Sequence, residues 1–143
     1  MEPVRVVFVC IGNSCRSPMA EGFARHYGSD VIEASSAGLA PSNRIQPLTR
    51  KVMLEKNIDL SACYPKTLAE VALGGCDLIV NMSGQKLMAV DGAATEEWNV
   101  RDPIGDSEEV YIEVREEIER RVMALILRLR NTARRMGYAN SVE

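Results

Sequence analysis

The chain has 143 residues, of which 46% are hydrophobic and 26% are charged, and its net charge is -3. This length and composition predict one globular domain, 1–143, that can bury a core of its own, with a mobile tail from about residue 136. The slight acidity disfavours nucleic acid or an anionic membrane as a partner, and no apolar run is long enough to cross a bilayer. Since the N-terminus lacks a signal-peptide pattern, we expect a cytoplasmic protein.

Apolar strand segments alternate with amphipathic helical segments along the chain. The pattern predicts strands at 4–10, 31–38, 76–83 and 96–101, and helices at 17–28, 47–57 and 67–73. Ser17 is the expected N-cap of the first helix, with Pro18 at its first position. Strands separated by helices predict a four-stranded parallel open sheet with helices on both faces, an α/β fold of the flavodoxin-like three-layer type.

A long helix is predicted at the end of the chain. Asp106 and Glu109 have the spacing of a capping box at its start. Apolar residues then recur at steps of three and four: Val110, Val114, Ile118, Val122, Leu125 and Leu129. We therefore expect this helix to cover the sheet with its apolar stripe facing the core.

The four cysteines, Cys10, Cys15, Cys63 and Cys76, are too few and too scattered for a disulfide framework. They show no paired spacing typical of zinc sites, and the single histidine cannot supply a metal cluster. We therefore expect neither a metal nor a cofactor. Acid–base chemistry in this chain must come from carboxylates, thiols or hydroxyls.

The segment VCIGNSCRSP, residues 9–18, joins the first strand to the first helix, at the edge where open parallel sheets bind ligands. Its short polar residues suit a loop whose N–H groups surround a tetrahedral oxyanion, aided by the positive end of the helix. Gly12 permits a tight turn, Asn13 tolerates left-handed backbone geometry, and Arg16 offers a fork of donors to the anion. The predicted phosphate-binding residues are Ile11, Gly12, Asn13, Ser14, Cys15, Arg16 and Ser17.

Cys10 is expected at the bottom of this cup. A helix N-terminus and a neighbouring cation favour the thiolate form of a cysteine, and a thiolate facing phosphorus can displace a leaving group in line. Ser17 is placed to hydrogen-bond the sulfur. An apolar cysteine before a capped turn is the plainer alternative, but the complete decapeptide between strand and helix is far more specific than a bare Cys-x5-Arg pattern.

The chain resembles the low-molecular-weight protein tyrosine phosphatases, a family that also contains the thioredoxin-coupled arsenate reductases. The resemblance covers nearly the whole chain and depends on VCIGNSCRSPMAEG at the start, SAG at 36–38, IDLS at 58–61 and RDPIG at 101–105. The first motif is strong, whereas the others are weak alone but occur in the family's order.

The resemblance implies roles for residues outside the loop. Asp102 matches the family's general acid, which protonates the leaving group and then activates the water that hydrolyses a phosphocysteine. Asn13 and Ser36 match positions that brace the phosphate loop. Cys15 matches a cysteine that forms a reversible disulfide with the nucleophile, although a small loop filler without redox duty is an equally good interpretation.

The departures from the family bear on the substrate. Animal-type tyrosine phosphatases follow Asp-Pro with two aromatic residues, whereas this chain has Ile104 and Gly105, which is closer to the arsenate-reductase branch. Those reductases carry two relay cysteines after the third strand, and residues 81–98 contain none. We therefore predict a phosphatase acting on phosphotyrosyl proteins or small aryl phosphates. An arsenate reductase using an external thiol and a non-catalytic phosphate-binding module remain alternatives, and the oligomeric state stays open.

Overall fold

The computed structural model describes residues 2–72 and 74–141 and contains one four-stranded sheet. Its elements in chain order are β1 (Val4–Cys10), α1 (Arg16–Gly28), β2 (Ile32–Gly38), α2 (Pro47–Leu54), α3 (Leu68–Ala72), β3 (Leu78–Asn81), β4 (Ala94–Glu97) and α4 (Glu108–Ser141). The strand order is β2-β1-β3-β4, and all neighbouring strands are parallel. The predicted four-stranded parallel α/β fold is confirmed.

The two faces of the sheet are covered unequally. Val6 and Phe8 of β1 are fully buried in the larger core, which also holds apolar residues of α1, α2 and α4. Val7 and Val9 point to the opposite face, where α3 and the segment 87–93 supply a thinner cover. Helices therefore lie on both faces, as predicted, with most of the buried apolar area on the side of α1 and α4.

Helix α4 buries the predicted stripe but begins differently from the prediction. Four of the six stripe residues are buried and the other two are partly buried against the same core. The capping box is wrong: α4 begins at Glu108, where the N–H groups of Val110 and Tyr111 donate to the carbonyl of Ser107. Asp106 lies one residue too early to cap the helix and pairs with Arg101 at 3.2 Å.

Several predicted boundaries shift in the structure. The fourth strand is 94–97 rather than 96–101, because β4 pairs only along the four residues of β3. The second helix ends at Leu54, three residues early, and residue 73 of the third predicted helix lies outside the described residues. Helix α4 continues through 136–141, so the mobility expected there stays a prediction, and residues 142–143 lie outside the described part. None of the described helices combines the length and apolarity needed to span a membrane.

Candidate active site

The candidate site is built where β1 ends, at the carboxyl edge of the sheet. β1 pairs with β2 on one side and β3 on the other, so the strand order reverses at this point. Cys10 is the last residue of β1 and is 3% exposed. Residues 11–15 then lead directly into α1 at Arg16. This is the crevice position at which open parallel sheets bind their ligands.

The backbone of the loop is oriented by a second segment wrapped around its outside. The carbonyls of Cys10, Ile11, Gly12 and Ser14 accept hydrogen bonds from four N–H groups of residues 39–46, at 2.8–3.2 Å. In a trans peptide the N–H group points opposite to the preceding carbonyl, so these bonds direct the loop amides inward. Among the described residues, the N–H groups of 11–17 have no protein acceptor. The inward ring of free donors is the cup that an oxyanion requires.

Two glycines permit the close approach of these segments. A Cβ atom on Gly38 would lie 2.7 Å from the carbonyl oxygen of Ile11 and 2.8 Å from the amide nitrogen of Asn13. A Cβ atom on Gly12 would lie 2.6 Å from Ser42 Oγ. The end of β2 can therefore touch the loop only because residue 38 has no side chain.

Asn13 connects the loop to two other parts of the molecule. Its backbone is left-handed, with φ 49°, a conformation that asparagine adopts more readily than most residues. The side-chain Nδ2 donates to Ser17 Oγ at 2.8 Å, and Oδ1 accepts from the N–H of Lys66 at 3.0 Å. The buried amide thus connects the loop to α1 and to the segment before α3.

Ser17 contacts the sulfur of Cys10 rather than capping the helix. Its Oγ lies 2.9 Å from Cys10 Sγ and 3.3 Å from the carbonyl oxygen of Ala37. The N-cap position belongs to Cys15, which makes no side-chain capping bond. The predicted capping role is therefore wrong, because α1 begins at Arg16 and Ser17 lies inside its first turn. A hydroxyl in this place can stabilise negative charge on the sulfur.

Arg16 connects the cup to the segments that follow β3 and β4. The residue is 5% exposed, and Nη1 donates to the carbonyls of Met82 and Val100, the latter at 3.1 Å. Nη2 lies 3.5 Å from Asp102 Oδ2. These contacts fix the guanidinium at the edge of the cup, where its fork can meet two oxygens of a bound anion.

Asp102 is brought to the site although it is 92 positions from Cys10 in the sequence. Its side chain is 43% exposed, and Oδ1 accepts a hydrogen bond from the N–H of Ile104 at 3.1 Å. Pro103 is buried, while Ile104 and Gly105 are exposed. A half-exposed carboxylate next to the clamp can exchange protons both with a bound group and with solvent.

Cys15 is part of the loop but faces the protein interior. It is 1% exposed, and burial raises the pKa of its thiol from the usual 9.0 to about 12. The Thr49 hydroxyl beside it, which has no hydrogen-bond partner of ordinary geometry among the described residues, opposes this pKa shift in part. The thiol is therefore protonated at neutral pH and weakly nucleophilic. Its redox role stays a prediction.

Ser36 does not brace the loop directly, contrary to the prediction. Its hydroxyl donates to Glu21, a carboxylate that is 3% exposed on α1 and also pairs with Arg25 at 2.9 Å. Ser36 therefore ties β2 to α1 beneath the loop. Sequence reasoning missed Glu21 and the steric role of Gly38. The signals available were a charged residue inside the buried MAEG segment and the SAG motif itself.

The other two cysteines do not join the site. Cys76 lies in the smaller core, before β3, and Cys63 is half-buried in the loop before α3. Burial raises the pKa of both thiols. Among the described residues, no group of three or more His, Cys, Asp or Glu side chains is arranged to hold a metal ion. What the fold brings together is Cys10, the loop amides, Arg16, Ser17 and Asp102.

Comparison with known proteins finds matches over most of the chain. Residues 5–135 match a family model described as low molecular weight phosphotyrosine protein phosphatase. A glutaredoxin arsenate reductase from Synechocystis sp. is 35% identical over 129 residues, covering 87% of this chain and 98% of that protein. An arsenate reductase in the phosphate-binding state has a TM-score of 0.79 and 34% identity, covering 88% of this chain and 98% of its own. YwlE arginine phosphatase from Geobacillus stearothermophilus also has a TM-score of 0.79, with 28% identity, covering 91% and 95%.

Proposed function

The chain belongs to the low molecular weight phosphotyrosine protein phosphatase family, and from this premise we propose that it is an arsenate reductase that uses an external thiol. Members of the family are cysteine-based enzymes. Several relatives that are 29–35% identical to this chain are named arsenate reductases. This similarity supports the alternative over the tyrosine phosphatase that the sequence analysis favoured.

The observation that carries the proposal is the set of residues in the loop after Asp102. The cup itself has every donor needed for a tetrahedral oxyanion, but positions 103–105 are proline, isoleucine and glycine. An aryl phosphate gains much of its affinity from aromatic contacts with its ring, and this loop supplies none. A free inorganic oxyanion needs only the cup and the guanidinium.

In the first step the Cys10 sulfur attacks arsenic in line with one As–O bond. An S–As bond forms, the As–OH bond breaks, and the departing hydroxyl takes a proton from Asp102 and leaves as water. The amides of residues 11–17 and Arg16 stabilise the charge on the remaining oxygens. Arsenic remains pentavalent at this stage.

The second step requires a thiol from outside the chain, because residues 81–98 contain no cysteine. The external thiol gives its proton to Asp102 and attacks arsenic, and the bond from arsenic to Cys10 breaks. The Ser17 hydroxyl, 2.9 Å from the sulfur, stabilises the departing thiolate. A second external thiol then attacks the sulfur bound to arsenic. A disulfide forms, arsenic takes the electron pair of the broken S–As bond to become arsenite, and the thiol proton passes to an arsenite oxygen.

A second candidate, hydrolysis of phosphate monoesters, is supported by the exposed residues near the cup. Ile11, Leu39 and Ile104 are aliphatic and 36–45% exposed, although each belongs to a segment in contact with the site. An inorganic oxyanion has no apolar part to pack against this surface, whereas the organic group of an ester has one. Water would then replace the thiol in the second step, with Asp102 as the base.

Parallel assays separate these functions. Purified protein is incubated with arsenate and glutathione, and arsenite formation is measured; a second sample receives p-nitrophenyl phosphate in the presence of a chelator. We expect arsenite to form, Cys10→Ser to abolish it, and the control Cys63→Ser to retain it. Ester hydrolysis without arsenite formation would replace the proposal with the second candidate. Phosphate binding without either activity would leave the non-catalytic module.

A further inference from the structure

A cleft of about 660 Å³ lies beside the cup, beyond the carboxyl ends of β3 and β4. Arg16 forms part of its wall, and the remaining lining comes from residues 81–86 and 97–100. Cys10 does not line it. This volume is within the range of pockets that bind small molecules. None of the steps assigned to the cup uses this space.

The cleft has one free charge of each sign. Lys86 and Glu97 both line it, both are exposed, and neither forms an ion pair within the described part of the chain. Gln85 and Asn99 add side-chain amides to the same wall. Opposite charges and amide groups that line one cleft are complementary to a molecule that carries an ammonium, a carboxylate and peptide bonds.

The cleft is connected to Asp102 through Arg16. Val100 lines the cleft, and its carbonyl accepts a hydrogen bond from Arg16 at 3.1 Å. Asp102, two residues further along, lies 3.5 Å from the same guanidinium. The guanidinium that lines the cleft therefore also contacts the group that must accept the thiol proton.

We propose that this cleft binds the external thiol, and that the thiol is a small peptide-like zwitterion. The inference rests on the proposed function, whose second step needs such a co-substrate. Lys86 binds a carboxylate of the thiol, Glu97 binds its ammonium group, and the thiol sulfur extends past Asp102 to arsenic. In that step the S–H proton passes to Asp102, the new S–As bond forms, and Cys10 leaves as the thiolate.

Steady-state kinetics test the assignment in the complete protein. Arsenite formation is measured against the concentration of glutathione, which is zwitterionic, and of 2-mercaptoethanol, which is neutral. We expect Lys86→Ala and Glu97→Ala each to raise the KM for glutathione about tenfold and to leave that for 2-mercaptoethanol unchanged. Glu113→Ala and Arg134→Ala, which remove exposed charges on α4, serve as controls and change neither value. Equal use of the two thiols by the unmodified protein, or unchanged KM values in both cleft variants, would overturn the assignment.

A binding measurement separates this inference from the proposed function. Isothermal titration calorimetry detects occupancy of the cleft without a spectroscopic probe. Titration with S-methylglutathione, which cannot react, should give a saturable change that Lys86→Ala and Glu97→Ala each weaken about tenfold. Saturable binding without any arsenite formation would retain the site and remove the proposed function. Arsenite formation without saturable binding would retain the function and remove the site.

Discussion

The Arg16 guanidinium lies 3.5 Å from the Asp102 carboxylate while its other amino group donates to the carbonyls of Met82 and Val100. The anion clamp and the proton donor are therefore one connected unit, held by the segments that follow β3 and β4. Because Asp102 is 43% exposed, this ion pair contributes little to folding. The role of the ion pair is to hold the carboxyl group beside the cup.

Asp102→Asn should keep this geometry and lose the proton transfer. The amide oxygen can still accept from the N–H of Ile104, so we expect the variant to fold normally. Arsenite formation should fall by a factor of about 10² to 10⁴. For the second candidate, ester hydrolysis, the loss should be greater for phenyl phosphate than for p-nitrophenyl phosphate, whose leaving group needs less protonation. Rates for esters of graded leaving-group pKa measure this. Equal losses for every ester would contradict the role of Asp102 as an acid.

Replacement of Asn13 should separate backbone strain from hydrogen bonding. Asn13→Gly accepts the φ of 49° without strain and loses only the bonds to Ser17 and Lys66, whereas Asn13→Ala also carries the strain. We expect losses of about 2 kcal/mol for glycine and about 3 kcal/mol for alanine in the free energy of unfolding. Urea unfolding measures both. A glycine variant as stable as the parent would show that the amide bonds are unimportant.

Gly38→Ala should damage the cup without touching the substrate. Its methyl group would meet two backbone atoms of the loop at 2.7 and 2.8 Å, and backbone cannot move aside as a side chain can. We expect the inhibition constant for inorganic phosphate to rise at least tenfold. Gly74→Ala is the matched control, since its methyl group would meet nothing within 4 Å. Unchanged phosphate affinity in Gly38→Ala would mean that the loop shape does not depend on β2.

The buried Cys15 thiol should make stability fall in alkaline solution. Its pKa is about 12 in the folded protein and near 9.0 when unfolded, so between these values the folded state holds a proton that the unfolded chain has lost. The contribution is complete below pH 9 and declines as the pH rises, by up to about 1.4 kcal/mol per pH unit. Unfolding of the parent and of Cys15→Ala is compared from pH 8 to 10.5. We expect the shallower slope in the variant, and identical slopes would contradict the burial of this thiol.

The parts of the fold that the sequence predicted are those with strong local patterns. The first three strands, the helix after the cup and the stripe of α4 all carry continuous or periodic apolar residues. The prediction placed β4 too late in the chain, because its residues, Ala94–Glu97, are mostly exposed and no apolar pattern marks them as a strand. The apolar residues Trp98 and Val100, which suggested a later strand, are buried beyond its end.

The site shows the same limit. The loop residues were predictable because they are contiguous and their chemistry is distinctive. The partner of Ser36 was not, because Glu21 lies 15 residues away on another element and only the packing of α1 against β2 brings them together. Ser17 was misplaced for a local reason: the loop backbone enters the helix at Arg16, before the proline that commonly marks a helix start.

The inward amides of the cup should be visible in hydrogen–deuterium exchange. The amides of residues 11–17 donate to no protein acceptor among the described residues, so no internal hydrogen bond protects them from exchange until an anion binds. They form a short run of rapidly exchanging protons between a buried strand and a helix, where exchange is otherwise slow. Deuterium uptake at these positions should drop when phosphate is added, so exchange at the loop amides measures anion binding.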